Sequence, residues 1–409
     1  MIQSQALKIL KSGENIFLTG SAGTGKTFLL NKFINYLRKK KINVGITAST
    51  GIAATHLDGR TIHSWSGIGL KKEMDDKSIR RLIQRKYLRD RIQKTEVLII
   101  DEISMLDAER LDLIDRVYKN FRHSNLPFGG IQMIMSGDFF QLPPIGRGEE
   151  TKFAYESSAW NEANIKVCYL TKQFRHKDNK FIHILNKIRT NEAGEKELLL
   201  LKERLNETIK GFSKPTKLYT HNTNVDAVNS YELSKINEKQ TVYNMSSSGS
   251  SNLVKVLKKS CLAPEKLRLK VGAVVMFVKN NFDAGYVNGT LGKIISYNRG
   301  RPVVKTKSGL EIIVSPTKWN IEEEGEITAS ITQFPLRLAW AITVHKSQGM
   351  SLDVAEIDLS KAFEYGMGYV ALSRVRTLDG IKLIGINEMS LTVNPKVVKK
   401  DKEFREVSK

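Results

Sequence analysis

The stretch Gly20-Ser21-Ala22-Gly23-Thr24-Gly25-Lys26-Thr27 matches the pattern G-x-x-x-x-G-K-[ST] and follows an apolar run, Asn15–Thr19. Between a strand and a helix, this pattern predicts a phosphate-binding loop. Its glycines let backbone N–H groups approach phosphate oxygens, and the helix N-terminus adds a positive dipole end. We therefore expect the eight residues to hold a nucleoside triphosphate. Lys26 would neutralise the β- and γ-phosphates, and Thr27 would bind Mg²⁺.

A second apolar run ends in two carboxylates. Val97–Ile100 predicts a central strand, and Asp101 and Glu102 follow it directly. Ligands bind at the carboxyl ends of strands in a parallel sheet. Asp101 is therefore a candidate Mg²⁺ ligand, directly or through water, and Glu102 a candidate base that orients and deprotonates water. The alternative is an ordinary acidic strand-to-helix cap, and the phosphate-binding loop favours the catalytic interpretation.

Three further side chains suit a γ-phosphate. A third predicted strand, Ile131–Ser136, is followed by Gln141, which can position water, although a turn glutamine explains the same pattern. Arg175 and Arg374 carry guanidinium groups that match the charge on a transferring phosphoryl group. Spacing alone does not select these two arginines from the other basic residues.

The remaining chain predicts an α/β protein with a smaller β-rich part. In residues 1–190, β-branched runs such as Val44–Thr47 alternate with helical patterns, which predicts a parallel sheet with helices on both faces. Lys71–Lys94 predicts a small helical insertion. The Ser-rich segment Tyr243–Ser251 predicts a flexible loop, and short strands broken by Gly and Asn follow it. The charged segment 396–409 predicts a frayed tail.

Basic residues outnumber acidic ones, 65 against 43, which gives a net charge of +22 and a pI near 9.7. This charge favours a polyanionic partner, most simply nucleic acid, although a merely soluble basic surface is the alternative. No long apolar run indicates a membrane span, and no secretory signal is present. Cys168 and Cys261 are far apart, which argues against a disulfide framework or zinc cluster. We expect a cytoplasmic protein of bacterial, phage or viral origin.

Six motifs, in this order, resemble those of the petite-integration-frequency (PIF-type) DNA helicases of superfamily 1B, relatives of RecD-type and Dda-type helicases. They are the phosphate-binding loop, Asp101–Met105, Gly137–Pro144, Leu170–Arg175, Val344–Gly349 and Val370–Val375. The resemblance implies an ATP- and Mg²⁺-dependent enzyme that moves 5′ to 3′ on single-stranded DNA. It implies unwinding of tailed or forked duplexes, in replication, repair or recombination. We expect the protein to be a monomer. G-quadruplexes are a further candidate substrate.

The resemblance also implies a domain plan with two RecA-like domains that clasp ATP. Domain 1A would span 1–175 with a wedge insertion at 66–95, domain 2A would span 176–277 and 332–409, and an SH3-like domain 2B would span 278–331.

Further nucleotide contacts are implied by the same resemblance. Gln5 would read adenine, and Arg175 and Arg374 would reach the γ-phosphate from the far side of the cleft. Gln348 and Gly349 would line that cleft.

Candidate DNA contacts are indicated by the chemistry of some residues and by the family resemblance of others. Thr50 and Gly51 follow a predicted strand, where hydroxyl and N–H groups suit phosphates. Trp65 offers a face on which bases stack at about 1–3 kcal/mol each, and a position in the core is the equal alternative. The resemblance adds six residues to the strand path: His63, His221, Asn222, Thr343, His345 and Lys346.

Two other functions fit parts of the pattern. A DNA-stimulated ATPase that remodels protein–DNA complexes without unwinding would carry the same motifs. A non-catalytic nucleic-acid-binding protein with a relic nucleotide site is less compatible, because Lys26, Glu102 and both candidate arginines are present. A GTP-specific switch is disfavoured, because no Asn-Lys-x-Asp motif occurs.

Overall fold

The computed structural model describes residues 1–57, 59–144, 152–207, 215–219, 225–281, 283–306, 308–323 and 326–408. The chain divides into two units: Met1–Arg175 with Asn394–Lys409 form the first, and His176–Val393 form the second. The α/β class predicted from the sequence is confirmed. Among the described residues, no helix combines the length and the apolar character that a membrane crossing requires.

A parallel sheet forms the centre of the first unit. Its strands are β1 (Ile16–Gly20), β2 (Val44–Ala48), β3 (Arg60–Thr61), β4 (Val97–Asp101), β5 (Gln132–Ser136) and β6 (Lys166–Leu170). Their order across the sheet is β3-β2-β4-β5-β1-β6. Every residue of β1 and β4 is buried, as expected for apolar runs covered on both faces. The four strands predicted in this unit are confirmed, each within one residue at its ends.

Helices surround this sheet. They are α1 (Gln3–Leu10), α2 (Lys26–Lys39), α3 (Gly51–His56), α4 (Ile62–Trp65), α5 (Asp76–Ile83), α6 (Lys86–Lys94), α7 (Ala108–Arg122) and α8 (Ser158–Glu162). Helix α2 contributes Leu30, Phe33 and Leu37 to a core shared with β1 and β4. The two short helices α5 and α6 lie in the predicted helical insertion.

The second unit combines a parallel sheet with antiparallel sheets. Its elements are α9 (Asn179–Arg189), α10 (Glu195–Lys202), β7 (Thr216–Tyr219), α11 (Val225–Ser234), β8 (Thr241–Asn244), β9 (Ser246–Gly249), α12 (Ser251–Ser260), β10 (Lys266–Leu269), β11 (Val274–Phe277), β12 (Leu291–Asn298), β13 (Arg301–Thr306), β14 (Glu311–Ile313), β15 (Thr317–Glu323), β16 (Glu326–Gln333), β17 (Leu336–Leu338), β18 (Ala341–Thr343), β19 (Ala355–Leu359), α13 (Met367–Ser373) and β20 (Ile381–Ile386). The parallel sheet has the order β18-β7-β19-β20. The largest antiparallel sheet has the order β14-β13-β12-β11-β17. This sheet begins before residue 278 and ends after residue 331, so it is longer than the expected domain 2B.

The prediction of a flexible loop at Tyr243–Ser251 is wrong. The exposed residues of β9 pair antiparallel with β16, and Ser248 lies opposite Ser330. Serine composition does not predict this pairing, because the ladder is made by the backbone of a strand about 80 residues further along the chain.

The prediction of a frayed C-terminus is also wrong. Residues Pro395–Val407 form α14, and the Asn394 side chain accepts a hydrogen bond from the Lys396 N–H at 2.9 Å. Phe404 packs against Phe17 with 5.0 Å between ring centroids, which anchors the helix to the first unit. The structure therefore groups residues 394–409 with the first unit, in contrast to the expected limits of domain 2A.

Candidate active site

The first unit brings three predicted chemical elements to one edge of its sheet. The phosphate-binding loop follows β1, Asp101 and Glu102 lie at the end of β4, and Gln141 follows β5. Because β5 lies between β1 and β4 and all three are parallel, their carboxyl ends share an edge. Strands separated by one neighbour are roughly 10 Å apart, a distance that a triphosphate with its metal ion can span.

The phosphate-binding loop is arranged for an anion. The Lys26 ammonium donates hydrogen bonds to the carbonyl oxygens of Gly20 and Ser21 at 2.8 and 3.3 Å, so its charge lies over the loop. Helix α2 starts at Lys26, and no side chain caps its N-terminus. Free N–H groups at a helix start bind phosphate well. The loop therefore fits the nucleotide predicted for it.

The segment Gln173–Arg175 packs against the phosphate-binding loop at Gly23. Gly23 has a φ of +89°, and a Cβ atom there would lie 2.6 Å from the Arg175 Cβ. Two hydrogen bonds fix this approach: Gln173 donates to the Ser21 hydroxyl at 2.6 Å, and the Phe174 N–H donates to the Gly23 carbonyl at 2.9 Å. Sequence reasoning missed the positioning role of Gln173, which lies two residues before the predicted arginine.

We expect Gly23→Ala to lower the free energy of unfolding of the first unit by more than the strain of an alanine in the left-handed region, because its Cβ would also meet the Arg175 side chain. Gly13→Ala is the matched control, because Gly13 has a similar φ of +87° and open space, with no atom within 4 Å, where an alanine Cβ would lie. Gly13→Ala should lower the free energy of unfolding by about 1–2 kcal/mol, the strain of a left-handed alanine. Urea unfolding measures both variants. Equal losses would mean that the contact with Arg175 does not restrict the loop.

Asp101 and Thr27 have the chemistry that Mg²⁺ requires. Asp101 is only 4% exposed, and burial raises the pKa of its carboxyl, while the charge of Lys26 opposes that rise. Thr27 is the second residue of α2 and is half-buried. A carboxylate and a hydroxyl are hard oxygen ligands, and a divalent cation would favour the ionised form of Asp101. The residues present therefore fit the ion.

Glu102 has an unusual backbone. Its φ and ψ of 52° and 45° lie in the left-handed region, which costs a non-glycine residue about 1–2 kcal/mol. Its carbonyl accepts a hydrogen bond from the Ser49 hydroxyl at 2.6 Å, and the Asp101 carbonyl accepts from the Ser49 N–H at 3.0 Å. Strain held by neighbouring contacts is common at functional sites. The turn directs the chain sharply away from β4 at the predicted base.

Gln141 lies at the same edge within a turn. It is 5% exposed, its N–H donates to the Asp138 carbonyl at 2.9 Å, and its amide lies 3.5 Å from the Asp138 carboxylate. The turn explains its placement, and its position after β5 remains compatible with a γ-phosphate contact.

One nucleotide prediction in the first unit needs correction, and the one for Gln5 stays a prediction. Arg175 belongs to the same unit as the loop and packs against Gly23, so the expectation that it reaches from the far side is wrong. Gln5 is exposed, and its side-chain oxygen accepts the Ile2 N–H at 3.0 Å, which caps α1. Its neighbour Gln3 donates to the loop carbonyls of Thr24 and Gly25 at 3.2 and 3.3 Å. In the first turn of α1, Gln3 and Gln5 lie on different sides of the helix. Their spacing in the sequence does not show which of the two faces the loop.

The other nucleotide candidates lie in the second unit. Arg374 is 2% exposed and donates to the Val370 carbonyl at 3.0 Å and the Ser373 hydroxyl at 3.1 Å. Gln348 is 7% exposed, and within the described part of the chain its amide nitrogen has no hydrogen-bond partner. Gly349 has a φ of +74°. A buried amide without a partner fits a ligand contact, as predicted for this motif.

The first-unit DNA candidates have mixed outcomes. The Thr50 hydroxyl accepts the Ala53 N–H at 3.3 Å and caps α3, whose first residue is Gly51. His63 lies in α4, where burial lowers its pKa and the nearby Arg110 lowers it further. Trp65 is 5% exposed and packs against Tyr118 at 5.8 Å between ring centroids. Its ring is not accessible to a base, so the predicted DNA contact of Trp65 is wrong and the core alternative is correct.

The second-unit DNA candidates are only partly described. Thr343 is 2% exposed, so its side chain is buried, and its place on the strand path stays a prediction. His345 is half-buried, and burial lowers its pKa. His221 and Asn222 lie outside the described residues, as does the side chain of Lys346.

Comparisons with known proteins identify the family of this chain. The model of the PIF1-like helicase family matches residues 3–197, and the model of the 2B domain of DNA helicase Pif1 matches residues 252–297. The ATP-dependent DNA helicase Pif1 of Psychrobacter sp. (strain PRwf-1) is 44% identical, over 100% of this chain and 71% of that protein.

Solved structures show the same fold. Pif1 from Bacteroides sp. in complex with ADP-AlF4 superposes with a TM-score of 0.87 at 32% identity, over 99% of this chain and 96% of that one. Bacteroides Pif1 in complex with ADP-AlF3 and ssDNA gives a TM-score of 0.68 at 31% identity over the same shares. By sequence along its whole length and by fold, this chain belongs to the family of PIF1-like DNA helicases.

Proposed function

We propose that this protein is an ATP-dependent DNA helicase that moves 5′ to 3′ along single-stranded DNA and unwinds duplexes. The convergence of the phosphate-binding loop, Asp101, Glu102 and Gln141 at one edge of a parallel sheet is the observation that supports it most. The direction of movement is proposed from membership of the family.

The residues of the first unit divide the work of hydrolysis. The Lys26 ammonium and the first N–H groups of α2 hold the phosphates and balance their charge. Asp101 and Thr27 would hold Mg²⁺, which supplies charge neutralisation at the phosphates when bound. Glu102 orients a water molecule and accepts its proton. Arg374 and Gln348 are proposed nucleotide contacts from the second unit.

A direct connection joins the hydrolytic edge to the proposed DNA path. Ser49 hydrogen-bonds to the backbone of both Asp101 and Glu102, and the next two residues are Thr50 and Gly51 at the start of α3. Only Thr50 therefore separates this contact with the end of β4 from the first residue of α3. We propose this connection as one route by which the nucleotide state changes the grip on the strand.

The proposed substrate is single-stranded DNA that continues into a tailed or forked duplex. The net charge of +22 supports a phosphate backbone as partner.

We further propose that G-quadruplexes are accepted, that a monomer suffices for movement, and that the protein acts in the cytoplasm. The domain plan of two RecA-like domains, a wedge at 66–95 and a 2B domain is proposed with it.

Binding to single-stranded DNA should weaken steeply with salt. About five phosphate contacts would give a slope near −3.5 in log affinity against log salt, or roughly a 100-fold loss between 50 and 200 mM. Fluorescence anisotropy with a labelled oligonucleotide measures this slope. A peptide nucleic acid of the same sequence, which lacks phosphates, is the control and should bind weakly at every salt concentration. A slope near zero would contradict a groove that follows the phosphate backbone.

A further inference from the structure

A cavity of about 400 Å³ lies in the second unit, away from the phosphate-binding loop in sequence and in unit. It is formed by α11, β10 and β17, and its volume is in the range of roughly 300–1,000 Å³ found for small-molecule sites. The polar groups that line it and matter here are Asp226, Ser230, Ser234, Lys266, Arg268 and Arg337.

Arg337 is the unusual member of this set. It is 8% exposed, and its Nε is buried without a hydrogen-bond partner in the described part of the chain. Burial lowers its pKa, and the charge of Asp226 opposes that change. Among the described residues, Arg337 takes part in no ion pair, and Asp226 supplies the negative charge that acts on it. An arginine stays charged in proteins, and a buried charge without a partner is costly. This side chain is therefore arranged for a partner from outside the fold.

The rim of the cavity has the same sign of charge. In β10 the residues alternate, so that Leu267 and Leu269 are fully buried while Lys266 and Arg268 are exposed on the opposite face. The lining of the cavity thus includes three cationic side chains and one carboxylate, Asp226. The Ser230 hydroxyl adds a hydrogen-bond donor along α11, whereas the Ser234 hydroxyl donates to the Tyr231 carbonyl at 2.7 Å. An anion with several acceptor oxygens would satisfy this set.

We propose that this cavity, here called the arginine cavity, binds a phosphate group, with Arg337 at its floor and Lys266 and Arg268 at its rim. The planar guanidinium donates two parallel hydrogen bonds to a phosphate, which a compact ammonium cannot do. The phosphate belongs either to a phosphodiester of the bound strand or to a free phosphorylated small molecule. The first source rests on the proposed helicase function, and the second does not.

The test compares Arg337→Gln with Arg299→Gln, a control that removes the same charge from an exposed turn of the same unit. Two measurements are made on each protein. The first is the salt dependence of binding to a labelled single-stranded oligonucleotide. The second is the thermal midpoint in inorganic phosphate against chloride at equal ionic strength, with Mg-ADP present to occupy the phosphate-binding loop. Arg337→Lys is a second variant, which keeps the charge but loses the paired donors.

The expected results separate the two sources. If the strand supplies the phosphate, Arg337→Gln binds the oligonucleotide roughly tenfold more weakly and the salt slope becomes shallower by about 0.7–1. If a free ligand supplies the phosphate, Arg337→Gln binds the oligonucleotide like wild type and loses only the rise in thermal midpoint that inorganic phosphate produces. In both cases Arg337→Lys lies between wild type and Arg337→Gln, and Arg299→Gln resembles wild type.

Loss of stability without loss of binding would overturn the proposal. Removal of a buried unpartnered charge should leave the urea midpoint of Arg337→Gln equal to or above that of wild type. A lower midpoint with unchanged oligonucleotide and phosphate binding would mean that Arg337 only supports the fold. Wild-type ATP hydrolysis, measured alongside, reports separately on the proposed function.

Discussion

Lys26→Ala lowers the turnover number for ATP hydrolysis by about 10³-fold and abolishes unwinding. The ammonium is the fixed positive charge of the phosphate-binding loop, held over it by hydrogen bonds to the Gly20 and Ser21 carbonyls. Charge develops on the phosphoryl oxygens in the transition state, and a pre-positioned cation stabilises it. A 10³-fold loss corresponds to about 4 kcal/mol of transition-state stabilisation.

The control for this variant is Lys32→Ala. Lys32 lies on the same helix, is exposed and is six residues further along, so its removal changes the net charge equally and leaves the loop intact. It should hydrolyse ATP at the wild-type rate. Steady-state phosphate release with single-stranded DNA present measures both variants. DNA-stimulated hydrolysis by Lys26→Ala at more than a tenth of the wild-type rate would show that this loop is not the hydrolytic site.

Glu102→Gln separates nucleotide binding from hydrolysis. The amide retains the size of the side chain but cannot accept the proton of water, so hydrolysis falls by roughly 10²–10⁴-fold. ATP affinity should stay within a few-fold of wild type, because the phosphates are held by Lys26 and α2. The variant should therefore bind ATP and single-stranded DNA together without turnover.

Glu73→Gln is the matched control, because Glu73 is exposed in the same unit. Nucleotide affinity from a fluorescent ATP analogue and turnover from phosphate release decide the outcome. Equal turnover by the two variants would remove Glu102 from the role of base. A large loss of ATP affinity in Glu102→Gln would instead assign it to nucleotide binding.

The centre of the first unit could be predicted from the sequence because its signals are local. Val97–Ile100 is a continuous apolar run, and such runs form strands that are covered on both faces. Gly20–Thr27 needs only a strand before it and a helix after it to have one structure. The edge at which Asp101, Glu102 and Gln141 lie follows from parallel strands alone.

Other parts depend on distant contacts and could not be predicted in this way. The strand β9 is stabilised by its pairing with β16, which serine composition does not encode. Helix α14 depends on Phe404 packing against Phe17, nearly the whole chain away in sequence. The aromatic ring of Trp65 suited a base as well as the core, and only its burial against Tyr118 decided between them.

Positions within the site were also settled by side-chain contacts. Gln3 and Gln5 are two residues apart, yet one contacts the phosphate-binding loop and the other caps α1. Arg175 was identified by its motif, but the hydrogen bonds of Gln173 and Phe174 place it beside the loop. Motif order therefore predicts where the chemistry lies, and local hydrogen bonds determine which side chains contact the loop.

Strand displacement tests the proposed motor most directly. A fluorescent duplex with a 5′ single-stranded tail, an identical duplex with a 3′ tail and a blunt duplex are each mixed with protein, ATP and Mg²⁺, with Glu102→Gln as the inactive control. We predict ATP-dependent release of the labelled strand from the 5′-tailed duplex and little from the other two. DNA-stimulated ATP hydrolysis without strand release from any substrate would contradict the account and identify a remodelling ATPase, and release from the 3′-tailed duplex would reverse the proposed direction.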